Sequence, residues 1–314
     1  MRWVIACLIA GFAQGLSAAA QEQGGLTRFT FTEYHMGIDA RLVVYAPNEQ
    51  TARSACESAF KRIAELDAIM SDYRQDSELM RLCGSAGKGA IPVSPDLFRV
   101  LDKAQTIAKQ TDGGFDVTVG PLIQLWRKAR KEQKLPNAAD IEKAKKVVGF
   151  KKLHMNPKTS TATLDVPRMR LDLGGIAKGY ASDEALKVLR SQGIQSALIE
   201  MGGDIVLGAA PPRREGWNIS VPNAGQNMFL KDCAISSSGD TEQYVEIGKT
   251  RYSHVVDPRT GYGLTQRKQA TVIAPDGFTS DPLSTALTLV AQKRREALLR
   301  HFPGVRTFIK IASD

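Results

Sequence analysis

The period of the hydrophobic pattern changes along this chain, and each change predicts an element. From Phe29 to Ala46 apolar residues alternate (Phe29, Phe31, then Met36, Ile38, Ala40, Leu42, Val44), which predicts two strands broken near His35-Met36-Gly37. Asn48 then stands as a cap before a run whose apolar positions, Ala52, Ala55, Ala59, Ile63, Leu66 and Met70, recur at three and four, the helical period. Ser94-Pro95 repeats that start signal, with proline at the first helical position. The apolar positions Leu97, Val100, Leu101, Ala104 and Ala108 carry this helix to a stop at Gly113-Gly114.

Residues 121–133 and 138–147 read as further helices, and 151–166 as a hairpin around Asn156-Pro157. Leu171-Asp172-Leu173 reads as a short buried strand that runs through glycines into a helix. From Gln195 to Ile273 the signals are mainly strands with Gly, Pro and Asn turns; a helical segment at 282–301 and a strand near 305–311 follow. Strands and helices mix without strict βαβ alternation. The expected class is α+β, with mixed or antiparallel sheets packed with helices, and not a doubly wound parallel sheet.

The first twenty residues stand outside that pattern. Met1-Arg2 is a short positive start, Trp3 to Phe12 is almost wholly apolar, and Ala18-Ala19-Ala20 supplies a small-x-small cleavage site. This is the pattern of a secretory signal peptide over residues 1–20, so export to the periplasm is expected, with 21–314 as the folded part. The apolar run before Cys7 is too short for a lipid-attachment signal, and no lipid anchor is expected. Cys56, Cys83 and Cys233 remain, none in a C-x-x-C pair, and read as ordinary small residues.

Charge narrows the partners. The formal net charge is +9, or +8 once Arg2 is removed. The basic residues are spread out, with the densest runs at Arg127–Lys134 and Lys143–Lys152, and no aromatics interleave with them as in a nucleic-acid groove; these runs read as solvated helix faces, and no nucleic-acid partner is expected. A positive protein still attracts an anionic small molecule.

Few segments carry chemistry. In Ser280-Asp281-Pro282-Leu283-Ser284-Thr285, a helix starting at the proline puts Asp281, Ser284 and Thr285 on one side of its first turn, three hard oxygen donors that suit Mg²⁺. Plain helix capping explains the same residues. Asp172-Leu173-Gly174-Gly175-Ile176-Ala177-Lys178-Gly179 puts a carboxylate, two glycines and a lysine at a helix start, a possible phosphate cradle or an ordinary tight turn. It is neither a Walker A loop nor G-x-G-x-x-G. Of the four histidines, only His254 has polar company, beside Asp257-Pro258-Arg259-Thr260-Gly261. No G-x-S-x-G elbow and no His/Cys cluster at zinc spacing occurs. What survives is a Mg²⁺ and phosphoanhydride site with a candidate histidine base.

Taken together, these segments resemble the ApbE family of FAD:protein FMN transferases. The matching pieces are Met36-Gly37, Asp72-Tyr73-Arg74 before Ser77-Glu78-Leu79, Phe115 to Leu122, Asp172 to Gly179, Gly202-Gly203-Asp204, Ser238-Gly239-Asp240, His254 to Gly261, and Asp281 to Ala286. They occur in the family's order and span about residues 29–310.

The resemblance implies a single ApbE-like (T-fold-like) α+β domain. It implies FAD as substrate, Mg²⁺ bridging its pyrophosphate, and transfer of the FMN half to a Thr or Ser hydroxyl of an acceptor protein linked to membrane electron transfer. By match to the family, Asp281, Ser284, Thr285 and the Gly175 carbonyl are the implied metal ligands. Met36, Tyr73, Phe115, Asp116, Asp172, Lys178, Val255 and Val256 are the implied FAD contacts, and His254 is the implied base. Two departures stand out: Ile38 follows Met36-Gly37 where the family usually has Thr, and Pro282 replaces an Ala. Two alternatives share the same residues, an FAD pyrophosphatase giving FMN and AMP, and a non-catalytic FAD-binding protein.

Overall fold

The computed structural model describes residues 25–239 and 244–311, so the expected leader and Asp240 lie outside the described residues. In chain order the elements are β1 (Thr27–His35), β2 (Ile38–Ala46), α1 (Glu49–Met70), α2 (Glu78–Gly84), β3 (Ile91–Pro92), α3 (Pro95–Gln110), α4 (Gly120–Glu132) and α5 (Ala138–Val147). Then come β4 (Leu153–Asn156), β5 (Thr161–Leu164), α6 (Ala177–Ser191), β6 (Ala197–Met201), β7 (Asp204–Leu207), β8 (Trp217–Ser220) and β9 (Asn227–Leu230). The chain closes with β10 (Cys233–Gly239), β11 (Tyr244–Ile247), β12 (Thr250–Ser253), β13 (Lys268–Ala274), α7 (Gly277–Leu289), α8 (Gln292–Leu299) and β14 (Arg306–Ile311).

The caps read from the sequence do their work. Asn48 accepts from Thr51 N–H at 2.9 Å and Ser94 from Leu97 N–H at 3.3 Å, each taking up an N–H that the first turn leaves without a partner. Behind those caps α1 buries Ile63 and Leu66 completely, each worth about 1.5–3 kcal/mol of transfer free energy.

The centre is a seven-stranded antiparallel sheet in the order β1-β2-β6-β7-β10-β13-β14. Helices α1, α6 and α7 cover one face, where Leu42 and Val44 join the main core. The opposite side chains of β2, Val43 and Tyr45, meet Trp217, Ile219 and Leu230 of the β8–β9 hairpin. The strand is therefore buried on both faces. A third apolar cluster joins α4 and α5 to β11 and β12 through Leu122, Trp126, Ile141 and Val245.

Three expectations are corrected. Residues 171–173 are not a strand: Asp172 N–H donates to Val117 O at 2.8 Å and Leu171 N–H to Cys83 Sγ at 3.3 Å, so the backbone is tied to a loop and a side chain. The helical segment at 282–301 is two helices, and the first starts at Gly277, not at Pro282. Its cap comes from another helix: the Asp183 carboxylate on α6 accepts from Gly277 and Phe278 N–H, both at 2.8 Å. Pro282 thus lies inside α7, where it has no N–H to give the preceding turn. Lys268 Nζ donates to Thr288 O at 2.8 Å and Arg259 to Leu289 O at 2.9 Å; these side chains take the last carbonyls of α7 and end it before α8.

Candidate active site

A cleft of about 350 Å³ opens where the start of α6, α7, the end of β10 and the loops at 113–119 and 254–258 converge. At the start of α6, Asp172 Oδ1 accepts from Gly174 N–H at 2.9 Å and shapes the turn into the helix. Gly175 follows because nothing larger fits comfortably. A Cβ there would stand 3.3 Å from Thr285 Oγ1 and 3.4 Å from Phe115, so the backbone passes directly beside the α7 hydroxyl.

Lys178, the second residue of α6, points between two carboxylates. Its Nζ lies 2.6 Å from Asp204 Oδ2 and 3.6 Å from Asp281 Oδ1. Burial alone would lower its pKa, but the charges of Asp204 and Asp281 outweigh burial and hold it above the usual lysine range. Asp281 shows the reverse: burial and the Asp204 charge raise its pKa, against the pull of Lys178 and of the Gly179 N–H.

Hydroxyls set α7 against β10. Ser236 Oγ meets Ser280 Oγ at 2.8 Å, and Ser238 Oγ meets Ser284 Oγ at 2.8 Å and Thr285 Oγ1 at 3.0 Å. Two residues of strand advance about 6.6 Å and four of helix about 6 Å, so the rungs stay aligned when the segments run side by side. Ser284 is fully buried and also donates to the Asp281 carbonyl at 2.8 Å, whereas Asp281 and Thr285 line the cleft.

The 113–119 loop brings Phe115 and Asp116 to the wall. Asp116 accepts from Thr118 N–H at 2.8 Å and Thr118 Oγ1 at 2.7 Å, while burial raises its pKa. His254 follows β12 and lines the cleft with Val255 and Val256. Its loop is closed by Ser253 N–H to Leu264 O at 2.8 Å, and Asp257 holds Arg259 by two contacts of 2.8 and 2.7 Å. Trp126 of α4 reaches the same loop, donating to Gly261 O at 2.9 Å.

Tyr73 stands at the mouth, and Met36, like the buried Ser284, is absent from the lining. Met36 occupies the β1–β2 turn at φ 51°, packed against the main core. Ile38 does approach the site indirectly, since a Cβ on Gly202 of the cleft would lie 3.0 Å from its Cδ1. Arg127 joins the site without a motif to announce it. It lines the cleft and pairs with Asp72 at 2.5 Å and Asp172 at 3.0 Å, so at least this member of the basic run is not a solvated face. No sequence signal marks it, because Asp72 and Asp172 reach it only in the folded chain.

The ApbE family model matches residues 36–309, nearly the whole described chain. The chain belongs to the ApbE family. The FAD:protein FMN transferase of Treponema pallidum is 29% identical over 326 residues, covering 96% of this chain and 88% of that protein. The one from Vibrio cholerae is 32% identical over 247 residues, covering 75% and 73%. Among solved structures, a mutant of the flavin transferase ApbE from Vibrio cholerae superposes with a TM-score of 0.82 at 28% identity, covering 91% of this chain and 94% of that one. The ApbE protein from Thermotoga maritima gives 0.80 at 28% identity, covering 90% and 94%. The ApbE fold is accordingly α+β, with helices packed on a largely antiparallel sheet.

The donor set fits a hard cation. Among the described residues no group of three or more His, Cys, Asp or Glu gathers as a metal cage. The ApbE-family cleft instead offers the buried Asp281 carboxylate, the Thr285 hydroxyl and the backbone at Gly175 beside it. One carboxylate, neutral oxygens and room for water match Mg²⁺ better than zinc.

Proposed function

We propose that this ApbE-family enzyme transfers the FMN half of FAD to a Thr or Ser hydroxyl of an acceptor protein, releasing AMP, with Mg²⁺ held by Asp281, Thr285 and the Gly175 carbonyl and Ser284 behind them. The observation that carries the reading is one cleft that brings Lys178, Asp281 and Thr285 together with His254. A lysine and a candidate cation site for a pyrophosphate, and a base for a hydroxyl, thus open on the same cleft.

Phosphoryl transfer asks a protein mainly for positioning and charge neutralisation. Bound Mg²⁺ supplies Lewis-acid neutralisation of the pyrophosphate oxygens. Lys178 adds a fixed positive charge, held by Asp204. Phe115, Asp116, Val255 and Val256 form the walls against which FAD lies, with Asp172 shaping the turn beside it and Met36 in the β1–β2 turn, packed against the core. His254 takes the proton of the incoming hydroxyl at a ring nitrogen. The hydroxyl oxygen forms a bond to the phosphorus of the FMN half, the bond from that phosphorus to the bridging oxygen breaks, and AMP leaves with the electron pair.

The leader pattern of residues 1–20 supports a periplasmic enzyme, and the family resemblance supports an acceptor in membrane-linked electron transfer. The direct test is AMP release from FAD, followed by chromatography, with and without acceptor and EDTA. AMP formation that needs both acceptor and Mg²⁺ is expected; AMP formation indifferent to acceptor contradicts the transfer.

A further inference from the structure

Tyr73 is 70% exposed and lines the cleft. It sits between α1 and α2 outside any helix or strand, and its N–H donates to Ser71 Oγ at 3.3 Å. An exposed ring on such a segment samples several orientations unless something holds it. Arg127 holds it: the guanidinium carbon lies 4.2 Å from the ring centroid.

Arg127 is itself fixed from two sides. Its NH1 donates to Asp72 Oδ2 at 2.5 Å and its NH2 to Asp172 Oδ2 at 3.0 Å. A planar guanidinium donates in its plane and leaves its face for an aromatic ring, which a lysine ammonium cannot do. The α4 residue thereby joins the Tyr73 segment to the Asp172 turn that leads into α6, and most of the Tyr73 ring stays open.

We propose that Arg127 is a positioning residue that presents Tyr73 as one wall of a stacking slot for a planar heteroaromatic ring of the bound dinucleotide. The inference rests on the FAD reading above. The slot's chemistry fits either ring of FAD.

The test is a double-mutant cycle read by FAD affinity, using calorimetry on the Mg²⁺-loaded protein without acceptor. Arg127→Lys keeps a positive charge facing both carboxylates and loses the flat face. It is expected to weaken FAD binding about five-fold with Tyr73 present and less than two-fold in the Tyr73→Ala background. Tyr73→Phe, which keeps the ring, is expected to restore the full coupling. Equal losses in both backgrounds, with or without a lower melting temperature, would overturn the proposal and assign Arg127 to folding. FMN and ADP as probes identify the ring: coupling with FMN alone places the flavin in the slot, coupling with ADP alone the adenine, and coupling with neither overturns the slot. Absence of FAD binding by the unmutated protein would instead overturn the flavin reading, a separate result.

Discussion

Gly179 donates its backbone N–H to Asp281 Oδ2 at 3.0 Å across the crossing of α6 and α7. The contact exists because two glycines let the helices touch: a Cβ on Gly179 would fall 2.1 Å from Gly277 O and 2.8 Å from Asp281 Cβ, and one on Gly277 would fall 2.7 Å from Gly179 O. Gly179→Ala should therefore push the helices apart, at a cost of about 1–3 kcal/mol. Thermal unfolding checks the stability loss. Magnesium titration should show weaker binding in the same variant; unchanged values in both experiments contradict the close crossing.

Asp281→Ala removes the charged ligand of the proposed metal site. We expect Mg²⁺-dependent turnover to disappear and Mg²⁺ to stop raising the melting temperature. A protein that retained both would place the metal elsewhere.

A proton competes for the same carboxylate. Burial raises the Asp281 pKa to about 7, so in the metal-free protein Mg²⁺ must displace a proton below that pH. Affinity measured by calorimetry should fall by up to about ten-fold per unit as pH drops below neutral, and level off above it. A flat profile between pH 5 and 8 runs against the assignment.

Ser238→Ala takes away the hydroxyl shared by Ser284 and Thr285. With Thr285 less constrained, Mg²⁺ affinity is expected to fall about ten-fold, the usual reach of a group that orients a ligand without touching the metal. Ser237→Ala is the control. Ser237 also lines the cleft, but its hydroxyl meets Thr271 at 2.8 Å and not Ser284 or Thr285, so metal affinity should stay unchanged.

Asp183 caps α7 from another helix, and burial raises its pKa from 3.8 to about 6. A carboxyl with a raised folded-state pKa contributes stability that is complete below its unfolded value and is lost as pH climbs through the folded one. The difference in unfolding free energy between the unmutated protein and Asp183→Asn should thus shift against the unmutated protein between about pH 4 and pH 6, by about 1–3 kcal/mol. Denaturant melts across that range measure it.

Local signals were the legible part of this fold. Asn48 and Ser94 announce helices because their cap bonds reach only three residues along the chain. The start of α7 is not legible locally because its cap is Asp183, ninety-four residues before Gly277, while Asp281-Pro282 imitates a helix start. Residues 171–173 look like a strand by composition, yet their N–H groups are taken by Val117 and by the Cys83 sulfur. At the site, Asp281, Lys178 and His254 stand in short motifs that can be matched one at a time. Arg127 has no motif; its meaning comes from Asp72 and Asp172, which approach only in the folded chain.

The central claim is transfer of FMN to a protein hydroxyl with His254 as base. The most direct measurement is the intact mass of an acceptor domain bearing a single candidate threonine, after incubation with FAD, Mg²⁺ and either the unmutated enzyme or His254→Ala. The account predicts a mass gain equal to FMN less water, lost with EDTA and slowed about 10²–10⁴-fold in the variant while its FAD affinity is kept. Free FMN and AMP beside an unmodified acceptor, or full-rate transfer by His254→Ala, would contradict it.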